Sequence, residues 1–284
     1  MARIGVVLAG CGANDGAEIH ESVITLLALD RAEAEVVIMA PDMDQFHVIN
    51  HFNGNTMEPA RNILVEASRI ARGDIVPVGT VKGEELDGLI FPGGTGMSKN
   101  IFDYAMTGPD CTVINDVERL VREIIESGKP LGAICIAPVM VAKVLQNMKR
   151  SGKLTGGYNE RITRDIQTMG IDTEEVGAKD IVVDQENKIV STPAYVEAGS
   201  IKETAEGIEK LVKKIIEYYI NMASTHLNNS CGMYKLEQNR NNATTIAHSL
   251  RKQLKAQVET STKLKRLCER WYFKYYNQHA GSIK

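Results

Sequence analysis

Hydrophobic residues form two kinds of segment that alternate along the first 220 residues of the chain. Four short runs are rich in Val, Ile and Leu, do not alternate strictly with polar residues, and end at Gly or Pro. This pattern is typical of strands that are buried on both faces. The runs are RIGVVLAG (3–10), AEVVIMA (34–40), LDGLIFPGG (86–94) and KPLGAICI (129–136).

Between and after these runs lie segments whose apolar residues recur at i, i+3 and i+4, which is the spacing of an amphipathic helix. These segments cover 21–32, 57–73, 113–128, 137–148 and 203–222. The stretch DIVVDQENKIVSTP predicts a β-hairpin with a polar turn. The alternation of strands and helices predicts an α/β fold, with a mostly parallel sheet and helices on both of its faces, in a domain that spans 1–222.

Charge and composition change near residue 222. Residues 1–226 carry 22 Lys and Arg against 33 Asp and Glu, whereas residues 227–284 carry 11 against 3. We therefore predict a basic C-terminal extension over 223–284 that is helical in part or weakly ordered. It has apolar residues at intervals of four (Ile246, Leu250, Leu254, Val258), but its scattered basic charge does not predict nucleic-acid or membrane-surface binding.

Composition also indicates whether the chain spans a membrane and whether its compartment keeps thiols reduced. No apolar run approaches the roughly 18 to 20 residues that span a bilayer, so we predict no membrane segment. The five cysteines are odd in number and have no C-x-x-C spacing. This usage predicts reduced thiols, no disulfide framework, no zinc site and a cytoplasmic location.

Cys135 stands where a predicted strand turns into a predicted helix. Pro138 occupies the first turn of that helix, where a missing N–H group does little harm. Ala133 and Ala137 provide the small residues that a sharp nucleophile elbow requires two positions before and after its nucleophile. The amides at the start of the helix are expected to lower the thiol pKa, although a free cysteine is also commonly a small buried hydrophobic residue. Cys11, which also follows a strand, is the one rival.

Two further features are candidates for partners of Cys135. The turn that contains Gly93 and Gly94 follows a strand, and its amides, with that of Ile136, would form an oxyanion hole. Glu18 begins a helix at the same edge of the sheet and would act as acid or base beside the thiol. The alternatives are an ordinary glycine turn and an acid that complements the helix dipole.

Two other chemistries are disfavoured by the sequence. AGCGANDGAEIHE resembles a dinucleotide fingerprint, but its glycines follow G-x-G-x-x-x-G, which is one residue too long. A Cys-His-acid triad requires an imidazole, and the residue after the cysteine is Ile136. His20, His47 and His51 are expected to be surface or loop residues. We therefore predict no cofactor and no metal.

Six segments of the sequence together resemble a known family. The segments that carry the resemblance are RIGVVLAGCGANDGAEIHESV, DMDQFHVINH, ARNILVEASRIARG, DGLIFPGGTGMSKN, GKPLGAICIAP and DIVVDQENKIVSTPAYV. Together they resemble the enhancing-lycopene-biosynthesis (ElbB) family, in the PfpI/ThiJ branch of the class I glutamine amidotransferase-like superfamily. The similarity runs in order over about residues 2–220, and the extension has no counterpart in it.

The resemblance implies a flavodoxin-like three-layer sandwich, a homodimer, and a cofactor-independent glyoxalase that converts glyoxal to glycolate, with a loose link to isoprenoid biosynthesis. It places the nucleophile at Cys135, the superfamily glutamate at Glu18, and the glycine turn at Gly93 and Gly94. The missing histidine puts protease and glutaminase activities in doubt. The alternative function is a thiol-based redox or carbonyl sensor, which needs the same reactive cysteine without turnover.

Overall fold

The computed structural model describes the backbone of residues 1–238 and the side chains of residues 1–224. Contacts group Met1–Ala223 into one compact unit, which is described here. Residues 239–284 of the predicted basic extension lie outside the described residues, and they include its apolar residues from Ile246 to Val258.

A central sheet organises the unit. The strands, in chain order, are β1 (Arg3–Val7), β2 (Glu35–Ala40), β3 (Val48–Ile49), β4 (Thr56–Met57), β5 (Val76–Pro77), β6 (Gly88–Phe91), β7 (Leu131–Ile134), β8 (Lys153–Leu154), β9 (Asp172–Thr173), β10 (Val182–Asp184) and β11 (Ile189–Thr192). Seven of them form one sheet in the order β10-β11-β7-β6-β1-β2-β5. All neighbouring pairs are parallel except the β10–β11 hairpin.

Helices flank this sheet. They are α1 (Ile19–Arg31), α2 (Ile63–Ala71), α3 (Met97–Asn100), α4 (Tyr104–Thr107), α5 (Asn115–Glu126), α6 (Ala137–Asn147), α7 (Glu160–Thr168) and α8 (Ile201–Gln238), of which only the part up to Ala223 belongs to this unit. Helix α5 shows why the periodicity was readable, because its five buried residues are spaced at i, i+3, i+4, i+7 and i+8: Val117, Leu120, Val121, Ile124 and Ile125. The predicted α/β fold, a mostly parallel sheet flanked by helices, is confirmed.

Two helix boundaries differ from the prediction by more than two residues. Helix α2 begins at Ile63 rather than at residue 57, because the Asn62 side chain accepts a hydrogen bond from the Val65 N–H (3.0 Å) and caps the helix there. Residues Thr56–Met57 instead form strand β4, which pairs with β3. Helix α8 continues to Gln238, past its predicted end at residue 222.

The sheet order places four loops at one edge. From the central neighbours β1 and β6 the chain builds outwards in opposite directions, towards β2 and β5 on one side and towards β7 and β11 on the other. Ligands of open α/β sheets bind at such a switch point, beyond the carboxyl ends of the strands. The loops that follow β1, β6, β7 and β11 meet here, and backbone hydrogen bonds join Glu18 N to Gly93 O and Cys135 N to Thr192 O, each at 2.9 Å.

Candidate active site

Cys135 occupies a strained turn between β7 and α6. Its φ angle is 62°, in the left-handed region that residues other than glycine seldom adopt, at a cost of about 1–3 kcal/mol. The residues Ala133 and Ala137 on either side are completely buried, so larger side chains would not fit. The predicted elbow is therefore present, and it leaves the Cys135 side chain half-buried at the edge of the sheet.

Glu21, in the first turn of α1, is the carboxyl group that contacts the thiol. Its side chain is completely buried and is hydrogen-bonded to the Cys135 side chain. One carboxyl oxygen accepts the Gly93 N–H (2.9 Å), and the other accepts the Tyr195 N–H (3.3 Å). Loops from three strands thus hold this carboxyl group against the sulfur, and sequence reasoning did not identify it.

Glu18 begins a helix at the predicted edge of the sheet, but its side chain caps that helix instead of contacting the thiol. It is the N-cap of α1, and its carboxylate accepts a hydrogen bond from the Glu21 N–H (2.7 Å). Its other oxygen lies 4.0 Å from the ring of His20. The charge of Glu18 therefore lies close to Glu21. The contact with the thiol that we predicted for Glu18 is made by Glu21, one turn later in the helix.

The glycine turn after β6 leaves no room for side chains. A Cβ atom on Gly93 would lie 2.5 Å from the Cβ of Cys135, and one on Gly94 would lie 2.6 Å from the Glu18 nitrogen. The N–H groups of Gly94 and Ile136 both donate to the Cys135 sulfur, as expected for donors near an oxyanion. The Gly93 N–H donates to the Glu21 carboxyl group instead, so it is not available as the oxyanion-hole donor that we predicted.

The pKa values of the pair are raised. Burial, followed by the charge of Glu18, raises the pKa of Glu21 to about 7. Burial and the charge of Glu21 raise the pKa of the Cys135 thiol above its ordinary 9.0, although the two amide donors act in the opposite direction. The predicted lowering by the helix dipole is thus outweighed by burial. Because two neighbouring acids do not both ionise readily, the thiol keeps its proton around neutral pH while the Glu21 carboxyl group is partly protonated.

A cavity of about 410 Å³ opens over Cys135. Its lining includes the hydroxyl side chains of Ser98 and Tyr104 and the exposed guanidinium of Arg161. Tyr195 lines the same cavity, and its hydroxyl lies 2.8 Å from the Nδ1 atom of His20. The cavity is of the size that small-molecule sites have in proteins.

Histidines do not line this cavity in the part of the chain that the structure describes. His20 is exposed and reaches the cavity only through Tyr195. The Nε2 atom of His51 accepts the Asn14 N–H (3.1 Å) in a loop. Burial and the charge of Lys99 lower the pKa of His47.

The glycine-rich loop after β1 is occupied by protein contacts. Gly96 packs against Gly16 so closely that a Cβ atom would overlap the backbone, and the Gly96 N–H donates to Ala13 O (3.2 Å). The N-terminus of α1, where a pyrophosphate would sit in a dinucleotide fold, is capped by the carboxylate of Glu18. Within residues 1–224 no cluster of three or more His, Cys, Asp or Glu side chains is arranged to hold a metal ion. No helix in the described part of the chain is long and apolar enough to cross a bilayer.

Comparisons with known proteins agree with this fold. The model of the DJ-1/PfpI family matches residues 11–198. Human glutamine amidotransferase-like class 1 domain-containing protein 3, mitochondrial, is 41% identical over 226 residues, which cover 76% of this chain and 83% of that protein. The mitochondrial ES1 protein homolog of Rattus norvegicus is 39% identical over 226 residues, with 76% and 84% covered.

A solved structure is similar over the same part of the chain. It is a crystal structure of an isoprenoid biosynthesis protein with an amidotransferase-like domain from Ehrlichia chaffeensis, with 33% identity and a TM-score of 0.70. The match covers 76% of this chain and 99% of the other. The class I glutamine amidotransferase-like fold expected from the sequence is therefore shown.

The predicted cytoplasmic location is contradicted by these relatives. The human and rat proteins are both named as mitochondrial. Cysteine usage excluded an oxidising compartment but did not distinguish between compartments that keep thiols reduced, and this is why the prediction was wrong.

Proposed function

The chain belongs to the DJ-1/PfpI family, and from this premise we propose that it is a cofactor-independent glyoxalase that converts glyoxal, or a similar small aldehyde, to glycolate or the corresponding hydroxy acid. Cys135 is the nucleophile and Glu21 is the acid and base. We also propose membership of the ElbB branch, with a link to isoprenoid biosynthesis that the description of the Ehrlichia chaffeensis protein supports. The names of the human and rat relatives support a mitochondrial site of action.

One observation carries the proposal: a buried carboxyl group with a pKa of about 7 is hydrogen-bonded to a half-buried thiol that lines a cavity. A general acid or base is most effective when its pKa lies near the working pH. Glu21 therefore holds a proton that is exchangeable near neutral pH, next to the atom that would attack a carbonyl carbon. A cysteine that served only for packing would not need this neighbour.

In the first step the sulfur of Cys135 forms a bond to one carbonyl carbon of glyoxal. The thiol proton passes through Glu21 to the carbonyl oxygen, which gives a hemithioacetal. The N–H groups of Gly94 and Ile136, which donate to the sulfur in the free protein, are placed to stabilise the oxyanion as it develops on the adjacent oxygen.

In the second step the carboxylate of Glu21 removes the C–H proton of the hemithioacetal while the neighbouring carbonyl oxygen gains a proton, which gives an enediol. The hydroxyl group on the sulfur-bearing carbon then loses its proton while the neighbouring carbon gains one, which yields a thioester of the hydroxy acid. Water then attacks the thioester carbon, the C–S bond breaks, and the thiol regains its proton. The sum is one glyoxal and one water to one glycolic acid, without an external oxidant or reductant.

The test is conversion of glyoxal to glycolate by the purified full-length chain without added glutathione. Wild type is expected to turn over steadily, and both Cys135→Ala and Glu21→Gln are expected to lose activity. Cys11→Ala is the control, because Cys11 is half-buried but does not line the cavity. Stoichiometric modification of Cys135 without turnover would overturn the proposal in favour of a thiol sensor. The homodimer stays a prediction, which sedimentation would test.

A further inference from the structure

Of the residues whose side chains the structure describes, those that line the cavity over Cys135 carry positive charge and no negative charge. Arg161 is its one charged member, and no Asp or Glu belongs to the lining among the described residues. The hydroxyl groups of Ser98 and Tyr104 already donate to Thr95 O and to Asp165, but the side-chain NH₂ group of Asn159 can donate to a ligand. A cavity with one guanidinium and a neutral donor beside it favours a ligand that carries negative charge.

The guanidinium of Arg161 lies near an aromatic ring and is not saturated by hydrogen bonds. The group lies 5.8 Å from the centroid of the Tyr104 ring, and both side chains line the cavity. The Tyr104 hydroxyl donates to Asp165 (2.7 Å), so the ring cannot easily turn away. Asp165 lies 3.7 Å from Arg161 Nε, which is too long for a hydrogen bond. Within residues 1–224 the Arg161 side chain makes no hydrogen bond, so its donors remain available.

Asp165 does not neutralise this charge on its own. Arg164 also approaches it, with its Nε 4.0 Å from the other carboxylate oxygen. Two guanidinium groups therefore share one carboxylate, and the cluster keeps a net positive charge. Arg161 is 65% exposed and Arg164 is 73% exposed, but only Arg161 lines the cavity.

From this arrangement we propose that the site selects carbonyl compounds that carry a carboxylate or a phosphate group, with Arg161 binding that anionic group while the carbonyl carbon lies at Cys135. The proposal rests on the proposed function for the reaction itself and names its substrate class: small anionic 1,2-dicarbonyl compounds. The chemical steps are unchanged, because the anionic group does not take part in them. Glyoxal would then be a minimal substrate that lacks the group that Arg161 recognises.

The test measures selectivity of binding rather than turnover. Iodoacetate and iodoacetamide are similar in size and alkylate thiols by the same displacement, but only iodoacetate carries a carboxylate. The rate of alkylation of Cys135 by each reagent is followed by mass spectrometry of the Cys135 peptide in the full-length chain. Arg161→Gln is compared with wild type, Arg164→Gln is the matched control on the same helix, and Arg161→Lys retains the charge.

The expected result is that Arg161→Gln lowers the ratio of the iodoacetate rate to the iodoacetamide rate by about fivefold, the effect of losing an ion pair at a partly exposed site. Arg164→Gln should leave the ratio within about twofold of wild type, and Arg161→Lys should restore part of it. Protection of Cys135 from iodoacetamide by acetate or by inorganic phosphate, lost in Arg161→Gln, would identify the preferred anion. Equal ratios in wild type and Arg161→Gln would overturn the proposal even if the protein turns over glyoxal. A fivefold change without turnover of glyoxal would support anion binding by Arg161 and would reject the glyoxalase activity.

Discussion

Replacing Glu21 by Gln should remove a dependence of stability on pH that the wild-type protein is expected to show. In the folded chain, burial and then the charge of Glu18 raise the pKa of Glu21 from 4.5 to about 7. In the unfolded chain the same carboxyl group ionises near its ordinary value. Between these two values the folded state binds more protons than the unfolded state, so the free energy of unfolding falls as pH rises.

The magnitude follows from the width of this window. A difference of about 2.5 pH units, at about 1.4 kcal/mol per unit, corresponds to a loss of about 3 kcal/mol. Little of this loss in the free energy of unfolding is expected below pH 4.5, and nearly all of it is expected above pH 7. The Cys135 thiol does not contribute in this window, because its own pKa is raised above 9.0.

The assay is urea unfolding of wild type and Glu21→Gln at intervals from pH 4.5 to pH 8, followed by far-UV circular dichroism. The readout is how the difference between the two free energies changes with pH. Its absolute value is less informative, because a Gln side chain can still accept from Gly93 but presents an NH₂ group where it should accept from Tyr195. Constant m-values across the series show that one transition is being compared. A difference that stays flat from pH 4.5 to pH 8 would refute the reasoning.

Two further predictions concern the surroundings of this pair. Glu18→Gln keeps the oxygen that caps α1 but removes a charge that raises the pKa of Glu21. The NMR titration midpoint of the Glu21 side-chain carbon should therefore fall below that of wild type. An unchanged midpoint would mean that burial alone raises the pKa of Glu21. Gly93→Ala places a Cβ atom 2.5 Å from that of Cys135 and should lower stability by about 1–3 kcal/mol in urea unfolding and slow alkylation of the cysteine. Gly199→Ala, with 3.6 Å to the nearest atom, should do neither, and equal effects of the two alanine variants would contradict the packing argument.

The parts of the fold that hydrophobic pattern predicts are those in which burial alone decides the structure. Strand β7 is buried at every residue, and α5 buries one regular stripe, so period and composition were enough. Cys135 was also predictable, because the elbow depends on small neighbours that the sequence shows directly. The cap at Asn62 was not recognised, and the helix it begins was therefore predicted six residues too early.

Glu21 could not be recognised because the buried face of α1 is not purely apolar. The helix exposes Ile19, Val23 and Leu27, and it buries Glu21. The other buried residues of the helix include Ser22 and Thr25, so a hydrophobicity argument assigns the wrong face to the core. The one available signal was the pair of glutamates three residues apart at the start of a helix, which indicates that one caps the helix while the other lies in the first turn.

Arg161 was missed for a different reason. It lies on α7, in a part of the chain for which the hydrophobic pattern predicted no element, and exposed arginines are too common to stand out in a sequence. Its significance depends on Tyr104, which lies more than fifty positions earlier in the chain. Only the folded chain brings the two side chains to one cavity.

The energetics of the site argue that Cys135 is kept for chemistry rather than for packing. Cys111 shows what a packing cysteine looks like here: it is completely buried, its φ of −59° is unstrained, and burial raises its pKa to about 11. Cys135 instead has a strained φ and a buried carboxyl neighbour, which together lower stability by several kcal/mol near neutral pH. A glutamine at position 21 would occupy nearly the same space without the pH-dependent part of this cost. Because the two acids lower stability, their placement next to an open cavity that Cys135 lines is best explained by a reaction that uses the Glu21 proton.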